Sequence, residues 1–314
     1  DPTPLVAVAY LCMFGLMFAD VGQGIILALC GILGARYFRD KNPAFFNLSS
    51  LLIYCGFSAI VFGFLFGSFF GFPIVALWFD YHGVVEGHAS GYVKSIYDIL
   101  RITIWFGIIV IALGILLNWI NLIARRRWIK LIFHKAGIVG GWMYAAGVYS
   151  AFYFVDQGFS GLPPFTVLFY GLLLPGLILF IKAPLEFFIH RAHDPSVKFT
   201  PLTPVDFIME WFVELLEIVS GYLANTLSFM RVAGLGIAHA SIMGAFFQIA
   251  RMPGDGNLLH PAAIIILVLG NIVVIGLEGL SAGIQSLRLN YYEFFSKYFS
   301  GSGKAYEPIS LRGL

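Results

Sequence analysis

Residues 206–250 read DFIMEWFVELLEIVSGYLANTLSFMRVAGLGIAHASIMGAFFQIA. The stretch keeps a helical pattern from Asp206 to Ala250, which at 1.5 Å per residue is ~66 Å of helix. Pro201 and Pro204 stand before it and Pro253 after it, with no proline between. A bilayer core is ~30 Å thick and needs only ~20 residues. A helix this long must tilt strongly or begin outside the hydrocarbon. Ionisable residues sit in its middle, where a charge costs ~2.5–3.5 kcal/mol on insertion scales.

The rest of the chain supports a membrane reading. Of 314 residues, 59% are hydrophobic and 11% charged, and the mean hydropathy is +0.86. Soluble domains carry about 25% charged residues. The 35 glycines and 32 phenylalanines also suit membrane helices. A net charge of +2 implies nothing about nucleic acid, and no nucleic-acid partner is expected. Cys12, Cys30 and Cys55 lie in apolar runs and read as free thiols with no zinc spacing. The chain starts Asp1-Pro2-Thr3-Pro4 with neither an initiator Met nor a signal pattern, and reads as part of a longer chain.

Further spans are expected at about 44–72, 99–124, 134–155, 164–189 and 260–295. Residues 5–38 are too long for one upright span, and Asp20-Val21-Gly22-Gln23-Gly24 interrupts them. They predict a tight helical hairpin, with Asp20 capping the break. Basic residues collect in four regions: Arg36, Arg39 and Lys41; Arg125, Arg126, Arg127, Lys130 and Lys135; Arg191 and Lys198; Lys297, Lys304 and Arg312. The positive-inside rule makes these cytoplasmic. The parity closes with eight spans and both termini inside. The fold expected is therefore all-α integral membrane, with about eight transmembrane helices and the last two long and strongly tilted.

On the seventh helix, Glu217, Ser220, Ser228, Arg231 and His239 fall within a stripe of ~100°. Glu217 and Arg231 are fourteen apart, ~21 Å along the axis, so they are stations on one face and not a single ion pair. On the eighth, Glu278, Ser281, Gln285 and Arg288 fall within ~80°. Two antiparallel helices with such facing tracks can line a water-filled ion path. The alternative is structural: each charge snorkels or pairs with a neighbouring helix, His239 is an interhelical hydrogen bonder, and Glu217 sits at the interface. Asp80, His82, Glu86 and His88 have no diagnostic metal spacing and read as a solvated loop. Arg125-Arg126-Arg127-Trp128 reads as a headgroup anchor. No phosphate loop, dinucleotide fingerprint or nucleophile elbow is present, so no catalytic residue, cofactor or metal is expected.

Three blocks carry a family resemblance. Phe14-Gly15-Leu16-Met17-Phe18-Ala19-Asp20-Val21-Gly22-Gln23-Gly24 resembles the FGxMFGDxGHG signature of the large membrane subunit of V-type and archaeal-type rotary ATPases, with Ala19 in place of a Gly and Gln23 in place of a His. Asn225 to Val232 and Leu235 to Ala240 resemble that family's SYLRL…LAHA helix. Glu278 to Glu293, followed by Tyr306-Glu307-Pro308, is similar to its last helix and tail. The resemblance implies an eight-helix stator subunit (subunit a or subunit I, in the compact prokaryotic form) whose last two helices lean against a ring of proteolipid rotor subunits (c or K). It implies a single membrane domain over 1–314, with 5–200 supporting and 206–297 facing the ring, and with a cytoplasmic stalk-binding half missing. That half would meet the peripheral-stalk subunits and the central-stalk connector. By the same resemblance Arg231 is the rotor-facing arginine and Arg288 the second arginine beside it. Glu217, His239 and Glu278 are half-channel residues, with Ser228 and Gln285 on the same tracks and Asp20, Gly22 and Gly24 as the structural motif. The competing reading is a secondary transporter with its own intramembrane site, which predicts internal repeats and paired broken helices. Only the break at Gly22–Gly24 is visible. A plain membrane anchor predicts that Arg231 and Glu278 tolerate apolar replacement.

Overall fold

The computed structural model describes residues 3–80, 83, 84, 93, 95–158, 161, 163–182, 184, 185, 203–254 and 257–299. His82, Glu86, His88, Arg191, Lys198, Lys304, Arg312 and the Tyr306–Pro308 tail lie outside them. The described residues are helical except for one short ribbon: α1 Thr3–Met17, α2 Val21–Phe38, α3 Pro43–Phe66, β1 Ser68–Phe69, β2 Phe72–Pro73, α4 Ile96–Ala124, α5 Trp128–Phe133, α6 Ile138–Asp156, α7 Phe165–Phe180, α8 Thr203–Ser228, α9 Met230–Arg251 and α10 Pro261–Leu289. The fold is all-α and membrane-spanning. Among the described residues six helical segments are long and apolar enough to cross a bilayer, and α1 and α7 are shorter apolar helices. Among the described residues, length and composition thus support six of the eight expected spans.

The chain divides into two compact units, residues 1–112 with 216–293, and residues 113–215 with 294–314, so the division falls inside α4 and α8. In the first unit α2 and α3 pack most extensively, α9 lies along α10, and α1 packs on α3, α9 and α10. Glycines set the α2–α3 approach. A Cβ on Gly24 would lie 2.9 Å from the Gly56 carbonyl oxygen, and one on Gly63 would lie 2.4 Å from the Val21 nitrogen. Close backbone approach through small residues is how membrane helices gain packing without a hydrophobic driving force.

In the second unit, polar contacts join α7 and Lys182 just beyond it to the first half of α8. Lys182 Nζ meets Glu214 Oε1 at 2.6 Å, and Trp211 Nε1 donates to the Gly176 carbonyl at 2.7 Å. α7 widens into a π turn over Phe169–Leu173 just before Pro175, which has no N–H to return to Gly171.

Three sequence boundaries need correction. The span expected at 44–72 ends at Phe66, because Gly67 takes the left-handed conformation (φ 71°) and closes the helix. The span expected at 164–189 includes the apolar helix Phe165–Phe180, and its far end lies outside the described residues. The 134–155 span starts at Ile138, after a separate turn of helix α5. The 206–250 helix is not uninterrupted: α8 stops at Ser228 and α9 starts at Met230. Around Phe229 the hydrogen bonds tighten to three-residue spacing, Phe229 N to Thr226 O and Val232 N to Phe229 O. Thr226 and Ser228 return their hydroxyls to the carbonyls four residues back at 2.8 and 2.9 Å, which competes with the helix ladder and bends it. Phe229 itself is fully buried against Gly107, where a Cβ would lie 2.4 Å from its ring. Packing of this ring holds the irregular turn immediately before Arg231.

Candidate ion-path site

The α1–α2 break is built around Asp20, which is fully buried. Its Oδ1 accepts the Gln23 N–H at 2.9 Å as the N-cap bond of α2, and also the Phe70 N–H at 2.9 Å. Its Oδ2 accepts the Ser68 hydroxyl at 2.6 Å and the Gly71 N–H at 2.8 Å. The second pair of elements is the two-residue hairpin β1–β2, in which Phe70 and Gly71 both have positive φ, 50° and 77°. A bulky residue in that region is strained by ~1 kcal/mol or more. The bond from Phe70 N to Asp20 offsets that cost. Gly22 leaves room for the Phe70 ring, whose nearest carbon would be 2.3 Å from a Cβ there. The Asp-x-Gly-x-Gly run is therefore a docking joint: an acceptor for the hairpin, a gap for its ring, and a gap for α3.

The hairpin tip and the break lie against α9. A Cβ on Gly71 would meet Met243, Phe72 stacks edge-on with Phe247 at 4.5 Å, and Phe18 does the same with His239 at 5.4 Å. α10 runs antiparallel beside α9, begun by Pro261 in its first turn and by His260, whose ring accepts the Ala262 N–H. Its deep end is fixed to α1. Tyr10 OH reaches the Gly283 carbonyl at 3.5 Å, and Ser286 and Asn290 approach Met17 and Met13.

Polar contacts between α9 and α10 form rungs. At the first, Arg231 Nη1 donates to Gln285 Oε1 at 2.9 Å. At the second, His239 Nδ1 and Glu278 Oε2 are 2.5 Å apart, with His239 buried. With the carboxylate ionised and the ring neutral, Nδ1–H donates and Nε2 is left as an acceptor. Eight residues separate the rungs on α9 and seven on α10, two turns or ~11 Å in each case. The two rungs keep one face because seven or eight residues return a helix to within ~80°.

Past α10 the chain widens into a π turn, Asn290–Phe294, which carries Glu293. Glu293 is buried, in electrostatic range of Arg231 and Arg288 and within reach of the Ser228 hydroxyl. Single π turns recur at functional sites because they re-aim one side chain.

The comparisons with known proteins agree with this architecture. The profile of the V-type ATPase 116kDa subunit family matches residues 192–311, which take in α8, α9 and α10. The A-type ATP synthase subunit I of Saccharolobus solfataricus is 29% identical over 98% of this chain and 50% of its own length. The chain is similar to this family over its last helices and to these subunits over nearly its whole length. The Aeropyrum pernix A-type ATP synthase subunit I is 25% identical over 100% of the chain and 48% of its own length. The V-type ATP synthase subunit I of Borreliella burgdorferi is 26% identical over 96% and 47%. The chain spans about half the length of these subunit I relatives.

Within the chain, the expected site residues separate into groups. Arg231 and Gln285 are in contact, as are His239 and Glu278. Ser228 lies one turn before Arg231, and Arg288 is exposed one turn beyond Gln285, near Glu293. Glu217 is exposed on α8, four turns before Arg231, and is not brought to either rung. Asp20, Gly22 and Gly24 are joined to the hairpin and to α3, not to the arginines. Sequence reasoning missed Glu293 as a site residue, because a straight helix turns it ~80° from Gln285 and only the widened turn brings it in. It also missed Asn271, although seven residues before Glu278 on α10 is a same-face position.

Proposed function

We propose that this chain is the membrane part of the stator subunit of a rotary ATPase, carrying protons or sodium ions between two half-channels along α9 and α10. The observation that carries this reading is the Arg231–Gln285 contact, two turns from the His239–Glu278 pair, on facing helices. An arginine keeps its charge at any cellular pH and holds its fork by hydrogen bonds. Gln285 orients that fork without neutralising it, so a full positive charge remains for a partner.

The partner is the carboxylate of a proteolipid rotor helix. Crossing lipid it must carry its ion, because a bare charge there is costly. On meeting Arg231 the anionic form is favoured and the ion is released. Exchange then requires rotation from one aqueous path to the other, and Arg231 blocks direct passage between them. Glu278 and His239 serve the outer path, and Glu217 the inner one. Arg288 and Glu293 set the field beside Arg231. ATP chemistry belongs to other subunits, and the chain itself supplies no catalytic residue. Peripheral-stalk subunits and the central-stalk connector would bind through the remaining half of the subunit, and lipids surround the spans. We place both termini in the cytoplasm of a prokaryotic plasma membrane.

The test is Glu278→Gln in the assembled complex, reading ATP-driven acidification and sodium uptake of vesicles. The amide keeps the volume and a bond to His239 but cannot exchange a proton. Proton relays by a placed side chain are worth ~10²–10⁴ in rate, so transport is expected to fall at least a hundredfold with assembly unchanged. Transport within twofold of wild type would remove Glu278 from the path.

A further inference from the structure

The α9–α10 ladder has a third polar rung that the proposed mechanism does not use. Gln23, at the first turn of α2, reaches across to both helices: its Nε2 donates to Asn271 Oδ1 at 2.8 Å and approaches Met243 Sδ at 3.5 Å. Asn271 in turn donates to the Leu267 carbonyl at 2.9 Å. Met243 is one turn beyond His239, and Asn271 is two turns before Glu278. On antiparallel helices both steps go the same way, so this rung continues the line away from Arg231, ~6–11 Å past the His239–Glu278 pair.

Gln23 is fully buried and His239 is 4% exposed. Among the described residues, Gln23 Oε1, His239 Nε2 and Glu278 Oε1 are buried and have no hydrogen-bonding partner in the protein. Buried polar atoms are almost always paired, with protein or with ordered water. An orphan costs ~1–3 kcal/mol. Three orphans on consecutive rungs of one face share the same remedy. The atoms are acceptors when the ring of His239 donates through Nδ1, so the group that satisfies them must donate, must be small, and must bridge several ångströms. Water does this, with two to four polar neighbours per molecule.

We propose that Gln23 and Asn271 form an uncharged water-holding station that links the His239–Glu278 pair to the outer side, making the α1–α2 break a wall of the ion path. This rests on the stator reading above for the direction of the path. The station carries no formal charge of its own, so an ion or proton crosses it in water without being trapped by a fixed counter-charge. Asp20 takes no part in conduction. Its four acceptor bonds are spent on the hairpin and the α2 N-terminus, and its role is to hold Gln23 in place.

Two measurements test the proposal on the assembled complex. The first is an experimental density map fine enough to show ordered water. It is expected to show water bridging Gln23 Oε1 toward Glu278 Oε1 and His239 Nε2; a dry site overturns the proposal. The second compares Gln23→Met, which keeps length without a donor or strong acceptor, with Gln23→His, which keeps a polar ring. Losing one hydrogen-bonded link of ~1–1.5 kcal/mol should slow ion transport about tenfold in Gln23→Met. Gln23→His should stay within twofold of wild type, a rescue that a purely structural role for Gln23 would not produce. Gln23→Met transporting at the wild-type rate in an assembled complex overturns the proposal. Should Gln23→Met not assemble, the map of the unaltered complex decides. Arg231→Gln measured beside them separates the two readings: if it transports normally the stator reading fails, whereas the water density stands or falls independently.

Discussion

Arg231→Gln is expected to leave a complex that assembles and transports ions at least a hundredfold more slowly. The guanidinium contributes a fixed charge at the point where a rotor carboxylate must become bare. Without it, an ionised carboxylate in the hydrocarbon costs ~2.5–3.5 kcal/mol, which is roughly a hundredfold in rate. The local fold should tolerate the change. Arg231 is partly exposed, it donates to Gln285, and the turn that carries it is held from behind by the buried Phe229. Arg231→Lys should recover little, since a single ammonium cannot hold Gln285 and present a planar fork together. Vesicle acidification against the amount of assembled complex is the measurement. Loss of transport that merely tracks loss of assembly would assign Arg231 a structural role.

Asp20→Ala is expected to produce the largest loss of stability in the chain, with failed or heat-labile assembly. It strips the α2 N-cap, worth ~1 kcal/mol, and orphans three backbone N–H groups and the Ser68 hydroxyl at a buried site. Each orphaned buried donor costs ~1–3 kcal/mol, so several kcal/mol are lost even after partial relaxation. Phe70 also loses the bond that offsets its positive φ. Asp20→Asn should be intermediate, because its amide can accept at one oxygen but faces donors on the other side. The apparent melting temperature of the purified complex reads both. An Asp20→Ala complex as heat-stable as wild type would show that the hairpin docks without this joint. Retained stability with lost transport would move Asp20 into the path.

Much of this was legible in the sequence because it depends on periodicity. The two polar stripes, the hairpin break at Asp20 and its capping role need only local spacing and the high cost of a charge in lipid. The 100° rule found Arg231, Gln285, His239 and Glu278 on the right faces, though it could not show that they meet as rungs. That depends on the register between α9 and α10, which is a packing property. Non-local hydrogen bonds were hidden for the same reason. Nothing local to Asp20 announces Ser68, Phe70 and Gly71, fifty residues away, as its partners. Features that break the helical period were misread. The tightened turn at Phe229 arises from hydroxyl back-bonding and from the ring's packing on Gly107, and the π turn that brings Glu293 beside the arginines follows no 100° rule. The length of one apolar run was overestimated where the chain turns without leaving its apolar composition, at Gly67.

The central claim is that the α8–α10 face bearing Arg231 lies against a rotor. Its most direct test is a reversible cross-link. Leu227, one turn before Arg231, is 49% exposed, and Leu33 on α2 is 66% exposed. In a complex with Cys12, Cys30 and Cys55 replaced, Leu227→Cys is paired with a cysteine beside the membrane carboxylate of the rotor helix, and Leu33→Cys is the control. The account predicts that oxidation joins Leu227→Cys to the rotor, stops ATP-driven ion transport, and is reversed by reductant, while Leu33→Cys forms no such link. An assembled, turning complex in which Leu227→Cys never links to the rotor would contradict it.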